Sequence, residues 1–598
     1  MTEHGIQLKW REFPWLWMAA IFVGAGVTLL WHMYCAVPYR EPPVWDETDY
    51  MSGALLLMET CKTPSRLHTV LLDPAFFVSH RTLVGSIVAL PLLWWRGVNN
   101  DTFFLASALT TILAGIAVAL VARGLLQNRR ARDMAAACAL VFFLVAPMVV
   151  TCSSIFYSEA PAALGCMLAL LAYLHARKTN TRLAWAMAGL ALFATIYVRA
   201  ERGVSFIGSM IAVYCIDELH LNGWRAAMRA TIISGAWGAL LSLVCLQWMA
   251  TPSPASAAML LLQIGLIVWI VVSLQLVAAF SREDYRSHLY GGLALVSLCL
   301  WFLYGENGEW FFRVLQSFSS ANMANTAQGY FKYPILEKYV MRYCGSYVDC
   351  GIKILLTICG ASLLIRRWPG LLVLFSIQIM QAATLRPEVG ARYLYGLHTI
   401  VSIVAGAGAG RLLAAGMSYA LKRQVRARAV LAIAIIAFLA ILSAQLPHLH
   451  DRAWRAFRDF DVTYWVLYDR EGALRQALEQ MKMRIPRGSE LVYSTGVPAL
   501  EVSAVRHFSS MNKLHWSVHT YEDGLRHVPP ASSAACYFVA FLFSERDGPY
   551  QRYRERSEYR NMRVHAERIA CQNDKSETVS IGDGMYKLII VPEHVTNM

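Results

Sequence analysis

The chain has 598 residues, of which 57% are hydrophobic and only 16% are charged, and its mean hydropathy is +0.41. A soluble domain would carry about 25% charged residues, so the composition excludes a soluble globular protein and favours a polytopic membrane protein. The net charge of +14 does not indicate nucleic-acid binding, because Lys and Arg cluster in short loops between apolar runs, as residues retained on the cytoplasmic side do.

The first apolar run has the features of an uncleaved signal anchor. It follows the polar opening MTEHGIQLKWREF, it is longer than the core of a signal peptide, and no persuasive small-residue cleavage site follows it. Apolar stretches of about 20 residues, long enough to cross roughly 30 Å of hydrocarbon, then recur as far as Pro447. We predict thirteen spans, near 14–36, 102–126, 133–151, 159–175, 183–198, 203–217, 229–250, 257–280, 287–304, 351–366, 369–385, 392–417 and 428–447.

The basic loops orient these spans. They are 122–132, 175–182, 281–288, 366–370 and 421–428, and if all of them are cytoplasmic the spans from 133 to 447 alternate without exception. With a cytoplasmic N-terminus, the loop 37–101, the loop 305–350 and the C-terminal region then face outward. This predicts a multi-pass membrane protein with its N-terminus in the cytoplasm and its C-terminal region outside.

One apolar piece, 76–95, does not fit this alternation as a full span. It carries His80 and Arg81 and is interrupted by Pro91, so we predict that it dips into or lies along the outer leaflet. The competing interpretation has fourteen full spans and reverses either the N-terminus or all the basic loops.

The composition changes near residue 448. The segment DREGALRQALEQMKMRIPRGSELVYS predicts an amphipathic helix, a Pro-Gly turn and a strand, and ACYFVAFLFS and YKLIIVPE have the apolar character of buried strands. The predicted fold class is therefore an all-α membrane domain, 1–447, followed by a small extracytoplasmic α/β domain, 448–598.

Four of the thirteen cysteines lie in two pairs outside the predicted spans. The first pair is Cys344 and Cys350, and the second is Cys536 and Cys571. In an oxidising compartment either pair could form a disulfide, and the sequence leaves both pairings open.

The segment WDETDY, 45–50, places carboxylates directly after the first span. A structural interpretation is that Asp46 caps a helix that starts at Glu47 and continues through YMSGALLLMET. A functional interpretation is compatible with it, because a carboxylate held at a helix start near low dielectric is a well-placed general base.

Other ionisable residues recur at the outer ends of predicted spans. Taken singly, each is typical of an acid at a helix start or a paired residue in a loop. Because all of them are predicted on the outer side of the membrane, together they favour one functional site. They are Glu159 in FYSEAPAAL, Arg199 and Glu201 in YVRAERG, and Arg386, Arg392 and Tyr393 in RPEVGARYLYG. Motifs of soluble enzymes, such as a Walker loop, GxGxxG or HExxH, are absent.

These segments, taken in order, resemble the GT-C superfamily of integral-membrane glycosyltransferases. DETDYMSGALLLME is similar to its first outer loop, SHRTLVGSIVALPLL to the re-entrant stretch, and YSEAPAALGCMLALLAYLHAR, YVRAERG and GARYLYGLHTI to later motifs. The similarity is greatest to the branch of protein O-mannosyltransferases and lipid A aminoarabinose transferases. The chain lacks the Pro-Pro that usually follows the His or Arg of the re-entrant stretch, and RYLYG lacks the usual proline.

The resemblance implies a sugar donor linked to polyprenyl phosphate, inversion at the anomeric carbon, and a glycan, lipid or protein acceptor outside the cytoplasm. It implies Asp46 as the base, supported by Glu47 and Tyr50. Arginines suit the lipid phosphate because the guanidinium pairs phosphate oxygens bidentately. The implied substrate and phosphate site comprises Tyr50, His80, Arg81, Glu159, Arg199, Glu201, Arg386, Arg392 and Tyr393. Binding of a divalent metal by Asp46, Glu47 or His80 stays open.

Two other functions are compatible with parts of the sequence. A polysaccharide polymerase or ligase would also use outward arginines and a large outer loop, such as 305–350, but would not need an acidic pair after the first span. A flippase or transporter would place ionisable groups near mid-membrane and usually shows repeated halves, whereas here the polar clusters lie at span ends.

Overall fold

The structure is a computed structural model of the chain. It describes residues 20–22, 24–26, 28–29, 46–61, 83–198, 200–224, 339–344, 346–365, 367–383, 394–422, 473–495, 502–520, 535–543, 557–581 and 586–593. The chain divides into two compact units. The first comprises 1–31, 60–88 and 107–456, and the second comprises 32–59, 89–106 and 457–598.

The first unit has helices and no strand among its described residues. The helices are α3 (Asn100–Leu125), α4 (Arg129–Leu144), α5 (Pro147–Ser153), α6 (Glu159–Thr179), α7 (Arg182–Val198), α8 (Ala200–Asn222), α9 (Tyr347–Leu364), α10 (Pro369–Ala383) and α11 (Tyr395–Lys422). Helix α3 begins in the second unit and continues into the first, and a short π-helical turn, Val340–Cys344, precedes α9.

Four described helices are long and apolar enough to cross a membrane: Asn100–Leu125, Glu159–Thr179, Tyr347–Leu364 and Tyr395–Gly416. A fifth candidate is a bent pair. The predicted continuous span 133–151 is wrong in this respect, because the chain bends by 70° between α4 and α5. Pro147 stands in the first turn of α5, where its missing N–H breaks the hydrogen-bond ladder. The predicted spans 14–36, 229–250, 257–280, 287–304 and 428–447 lie wholly or mostly outside the described residues.

Helix α11 approaches α4 and α9 through glycine. A Cβ atom added at Gly406 would lie 2.5 Å from the Cβ atom of Ala139, and one added at Gly410 would lie 2.5 Å from the backbone nitrogen of Ala135. On the face toward α9, Gly408 lies against the backbone of Leu356 and Gly360. Small residues allow helix backbones in a membrane to approach this closely, and dispersion and weak polar contacts then replace the hydrophobic effect as the source of association.

We predict that Gly408→Ala destabilises the protein. The new Cβ atom would lie 2.8 Å from the backbone nitrogen of Gly360, so two helices must separate, at a cost of about 1–3 kcal/mol. Thermal unfolding in detergent should show a lower midpoint. Gly416→Ala on the same helix is the matched control, because nothing lies within 4 Å of its added Cβ atom. An equal midpoint for the two variants would contradict this packing.

The second unit contains α1 (Asp46–Thr60, whose last residue belongs to the first unit) and α2 (Leu90–Arg96). A 3₁₀ segment, Leu83–Ala89, belongs to the first unit except for its last residue. The described part of the piece 76–95 is Leu83–Arg96, a 3₁₀ turn followed by α2. Its fourteen residues are fewer than the roughly 20 that a transmembrane helix needs. Its predicted place in the outer leaflet stays a prediction.

The C-terminal part of the second unit is built on a five-stranded sheet. The helices and strands here are α12 (Ala473–Arg484), β1 (Glu490–Thr495), α13 (Val502–Met511), β2 (Ser517–Thr520), β3 (Cys536–Phe543), α14 (Ser557–Gln572), β4 (Glu577–Ile581) and β5 (Tyr586–Glu593). Strand β1 pairs in parallel with β2 and β3, and β5 pairs antiparallel with β3 and β4, which gives the order β2-β1-β3-β5-β4. The predicted helix, turn and strands are thus present.

A buried histidine joins α13 to the start of α3 within the second unit. The Nε2 atom of His507 lies 3.3 Å from Oδ1 of Asn100, and the imidazole ring packs edge-on against Phe103. The Nδ1 atom is buried without a hydrogen-bond partner among the described residues. Burial lowers the pKa of His507 to about 4, because the charged imidazolium cannot be solvated there.

This histidine predicts a loss of local stability in acid. An unfolded histidine titrates near pH 6.5, so between pH 6.5 and 4 the opened state binds the extra proton and stability falls as the pH falls. At pH 5 the loss relative to pH 7.5 is about 2 kcal/mol, or roughly a thirtyfold rise in opening. Hydrogen exchange of the amides of α13 in the full-length protein measures it, after correction for the intrinsic rate.

Two variants distinguish the effect of protonating His507 from other effects of acid. His507→Gln keeps an amide donor near Asn100 and does not titrate, so its α13 amides should lose the excess opening at pH 5. His515→Asn removes an exposed histidine whose φ of 57° asparagine tolerates, and it should behave as the wild type. The same acid response in the wild type and in His507→Gln would disprove the assignment.

Candidate functional site

The acidic segment forms the first turn of a helix. Helix α1 begins at Asp46, one residue before the predicted start, and runs to Thr60. Its buried face is formed by Met51, Ala54 and Leu57, and Tyr50 is also buried, with 7% of its surface exposed. The first turn of a helix is the positive end of its dipole, which favours carboxylates. The side chains of Asp46 and Glu47 lie outside the described part of the chain.

Glu159 stands in the first turn of α6, as predicted, and only 1% of its surface is exposed. Ser158 before it is buried as well. A buried carboxylate is costly unless its surroundings support it. This burial distinguishes Glu159 from a solvated helix-start acid.

Paired contacts give the directions of α6, α7 and α8. Near the start of α6, Gly165 faces Thr195 and Val198 at the end of α7, and the rings of Tyr173 and Trp185 lie 5.9 Å apart at the other end of the pair. The two helices are therefore antiparallel. Trp185 also contacts Tyr214, near the end of α8. Helices α6 and α8 thus begin, and α7 ends, at one end of the first unit, which we call the Glu159 end.

Helix α11 also begins at the Glu159 end. Gly410 faces Ala135 and Gly406 faces Ala139, while Nε2 of His398 lies 3.1 Å from the carbonyl oxygen of Phe142, so α11 is antiparallel to α4. These contacts bring the start of α11 to the end of α4.

The end of α4 connects to Glu159 through α3. Helix α3 is antiparallel to α4, because Gly115 faces Leu144 and Arg123 pairs with Asp133. Ser107 of α3 donates to the carbonyl oxygen of Ile155 at 2.7 Å, four residues before Glu159. The starts of α6, α8 and α11 therefore share one end of the unit.

Some of the predicted site residues lie in the described helices, and others lie outside the described part of the chain. Glu201 belongs to the first turn of α8, and its side chain lies outside the described part. Arg199 falls in the sequence between α7 and α8, and Tyr393 stands two residues before α11. The predicted site residues that lie wholly outside the described residues are His80, Arg81, Arg199, Arg386, Arg392 and Tyr393. Among the residues that the structure describes, no cluster of three His, Cys, Asp or Glu could hold a metal ion.

An aromatic cluster that the sequence did not predict also lies at the Glu159 end. Nδ1 of His398 lies 2.9 Å from the hydroxyl oxygen of Tyr339, and the ring of Tyr343 lies 4.9 Å from the imidazole. Since Nε2 donates to Phe142, Nδ1 accepts from Tyr339. Both ring nitrogens are thereby used, so this histidine anchors the turn before α9 to α11 rather than serving as a base.

The thiols beside this cluster are free. Cys344 and Cys350 are both buried and form a thiol hydrogen bond rather than a disulfide. Burial raises the pKa of the Cys344 thiol to about 12, so it stays protonated and unreactive at neutral pH. Cys536 and Cys571 are likewise free, and neither pair that the sequence left open is a disulfide in the structure.

At the opposite end of the first unit, which we call the Arg177 end, a buried arginine is paired with two carboxylates. Arg177 lies 2.7 Å from Glu218 and 3.8 Å from Asp217, and Asp217 accepts from the Tyr173 hydroxyl at 2.8 Å and from the Gly370 amide at 3.1 Å. This network joins α6, α8 and α10. The segment CIDELH, whose carboxylates follow an apolar run, is a signal of this network in the sequence.

No family model matches the chain, and no curated protein sequence matches it. Among solved structures, the archaeal oligosaccharyltransferase AglB from Archaeoglobus fulgidus, in complex with an inhibitory peptide and a dolichol-phosphate, is 14% identical. The match covers 88% of this chain and 69% of AglB, with a TM-score of 0.47.

Two solved structures of ArnT from Cupriavidus metallidurans, each 13% identical in sequence to this chain, also match it. In the apo state the TM-score is 0.48, and in the state bound to undecaprenyl phosphate it is 0.46, each with 96% of this chain and 97% of ArnT covered. AglB and ArnT are members of the GT-C superfamily, the superfamily that the sequence motifs resemble. At these identities and TM-scores, the matches assign no residue role, substrate or partner to this chain.

Proposed function

We propose that this protein is a membrane glycosyltransferase that moves a sugar from a polyprenyl-phosphate donor to a glycan, lipid or protein acceptor outside the cytoplasm, with inversion. The observation that supports it most is the direction of the helices. The first turns of α6, α8 and α11 and the last turn of α7 share the Glu159 end, and the sequence positions of the proposed phosphate-binding residues adjoin these turns.

In the proposed reaction the acceptor hydroxyl attacks the anomeric carbon while the bond from that carbon to the phosphate oxygen breaks. The phosphate leaves with the bonding electron pair and needs no proton, unlike the alcohol leaving group of a glycosidase. One base is therefore sufficient, and Asp46 takes the proton of the acceptor hydroxyl. Glu47 and Tyr50 support that carboxylate.

Arginines stabilise the departing phosphate in this proposal. Arg199 and Arg392 are the first candidates, followed by Arg81 and Arg386. Fixed cations aimed at developing negative charge are among the largest contributions to catalysis. His80, Glu159, Glu201 and Tyr393 complete the proposed substrate site. Residues 1–447 form the catalytic membrane part and 448–598 the extracytoplasmic part.

We predict that Asp46→Asn abolishes transfer while the protein still folds. Loss of a general base typically costs 10²–10⁴ in rate, and asparagine can still cap the helix. Turnover of a purified polyprenyl-phosphate sugar measures the rate, and thermal unfolding checks the fold. Glu59→Gln is the matched control, since Glu59 is an exposed carboxylate at the other end of α1 and its loss should leave turnover unchanged.

The same pair of variants distinguishes the alternatives. A polysaccharide polymerase or ligase does not need the acidic pair, so Asp46→Asn would retain most of its activity. Full turnover by Asp46→Asn with the lipid-linked donor would refute the proposed base.

The proposed orientation makes a separate prediction. Cys571 is exposed at the end of α14, so a membrane-impermeant maleimide added to spheroplasts of the native host should label it without lysis. Cys571→Ser should lose this label. A label that appears only after the membrane is opened would place α14 in the cytoplasm and overturn the orientation.

A further inference from the structure

A cavity of about 330 Å³ opens at the Arg177 end, far along the helices from the first turns of α6 and α11. It lies where α3 and α9 end, where α4 begins and where α11 passes. Arg367 and Arg411 line it, together with the polar side chains of Gln127, Asn128 and Ser418. The rest of the lining is leucine and alanine, so the cavity combines two cations with an apolar wall.

The two guanidinium groups have no carboxylate beside them in the described part of the chain. No Asp or Glu lines the cavity, and the nearby Asp133 is occupied by Arg123 at 2.9 Å. Burial alone lowers the pKa of Arg367, the direction expected of a cation without an anionic neighbour. By contrast, Arg123 and Arg177 at this end each lie within 3 Å of a carboxylate, at 2.9 Å from Asp133 and 2.7 Å from Glu218.

The surface around the cavity indicates what kind of anion fits. Ile365, two residues before Arg367, and Leu412, next to Arg411, are exposed. Ile358, six residues before the end of α9, is exposed as well. In a membrane-spanning unit such apolar faces lie against acyl chains. The predicted cytoplasmic loops 122–132 and 366–370 border the cavity, and basic pockets between helices on this side bind anionic lipid headgroups.

We propose that this cavity binds the phosphate headgroup of an anionic phospholipid of the cytoplasmic leaflet. Arg367 and Arg411 pair the phosphate oxygens, Gln127, Asn128 and Ser418 hydrogen-bond the headgroup, and the acyl chains lie along the exposed apolar side chains of α9 and α11. A free phosphate would use the arginines but not the apolar surface. The site is separate from the proposed catalytic residues, and its occupation does not depend on the proposed transfer reaction.

The test uses the full-length protein in a mild non-ionic detergent. Phosphatidylglycerol, phosphatidylcholine or inorganic phosphate is added, and the thermal midpoint and the number of lipids retained in native mass spectrometry are measured. We expect phosphatidylglycerol to raise the midpoint and to stay bound, and the other two to have little effect. The response should weaken at least tenfold in apparent affinity in the double variant Arg367→Gln, Arg411→Gln.

Two further variants make the result specific to the cavity. Arg129→Gln removes an exposed arginine at the start of α4 that does not line the cavity, and it should retain the wild-type response. Ala415→Trp fills the exposed mouth while both arginines remain, and it should lose the response even if the double variant proves too unstable to study.

Each remaining outcome overturns the proposal. An equal response to phosphatidylcholine shows a non-specific effect of lipid, and an equal response to inorganic phosphate shows a simple anion site. An unchanged response in Ala415→Trp or in the folded double variant shows that the lipid binds elsewhere. No response in the wild type shows that another part of the chain fills the cavity.

Discussion

Helix α11 lies between α4 and α9 and meets both of them without large side chains between the backbones. Gly406 and Gly410 face the alanines of α4, and Gly408 faces the backbone of α9 at Gly360. In a membrane, an apolar side chain gains little free energy by exchanging contact with lipid tails for contact with another helix. Helices therefore associate where their backbones can approach closely. That contact fixes the direction of α11, and the chain that precedes α11 carries the late arginines of the proposed site.

The directions of the other helices follow from a small number of polar contacts at the two ends. At the Arg177 end, Asp217 receives hydrogen bonds from Tyr173 and Gly370 and faces Arg177. Breaking such a buried pair by removing one partner typically costs 3–5 kcal/mol, whereas forming it contributes much less. The network therefore acts mainly to specify how α6, α8 and α10 align, and this alignment brings the starts of α6 and α8 to one end.

Sequence patterns predict elements whose signal is local. Hydropathy and the basic loops predicted α3, α6, α9 and α11 as spans, and short continuous apolar runs predicted β3 and β5. The helix at Asp46 was predicted from a cap residue followed by an apolar run. Each of these depends on residues within one element, so tertiary contacts are not needed to recognise them.

What the sequence could not predict depends on partners far apart in the chain. The 70° bend at Pro147 occurs in a run that hydropathy treats as one span, and the pairing of His398 with Tyr339 joins residues 59 positions apart. Cys344 and Cys350 are six residues apart, and the sequence left a disulfide between them open, whereas both thiols are free in the structure. In each case the deciding factor is geometry rather than composition.

The Arg177 end of the first unit uses its arginines in two different ways. Arg123 and Arg177 are paired with carboxylates of the protein, and this favours rigid alignment over binding. A site that must hold a phosphate needs cations that the protein itself leaves unneutralised, because an arginine already paired with a carboxylate has little attraction left for an anion. The same argument applies to the proposed catalytic arginines and to the cavity at Arg367 and Arg411. It separates arginines that hold helices together from arginines available to a ligand, a distinction that the count of basic residues in a sequence does not make.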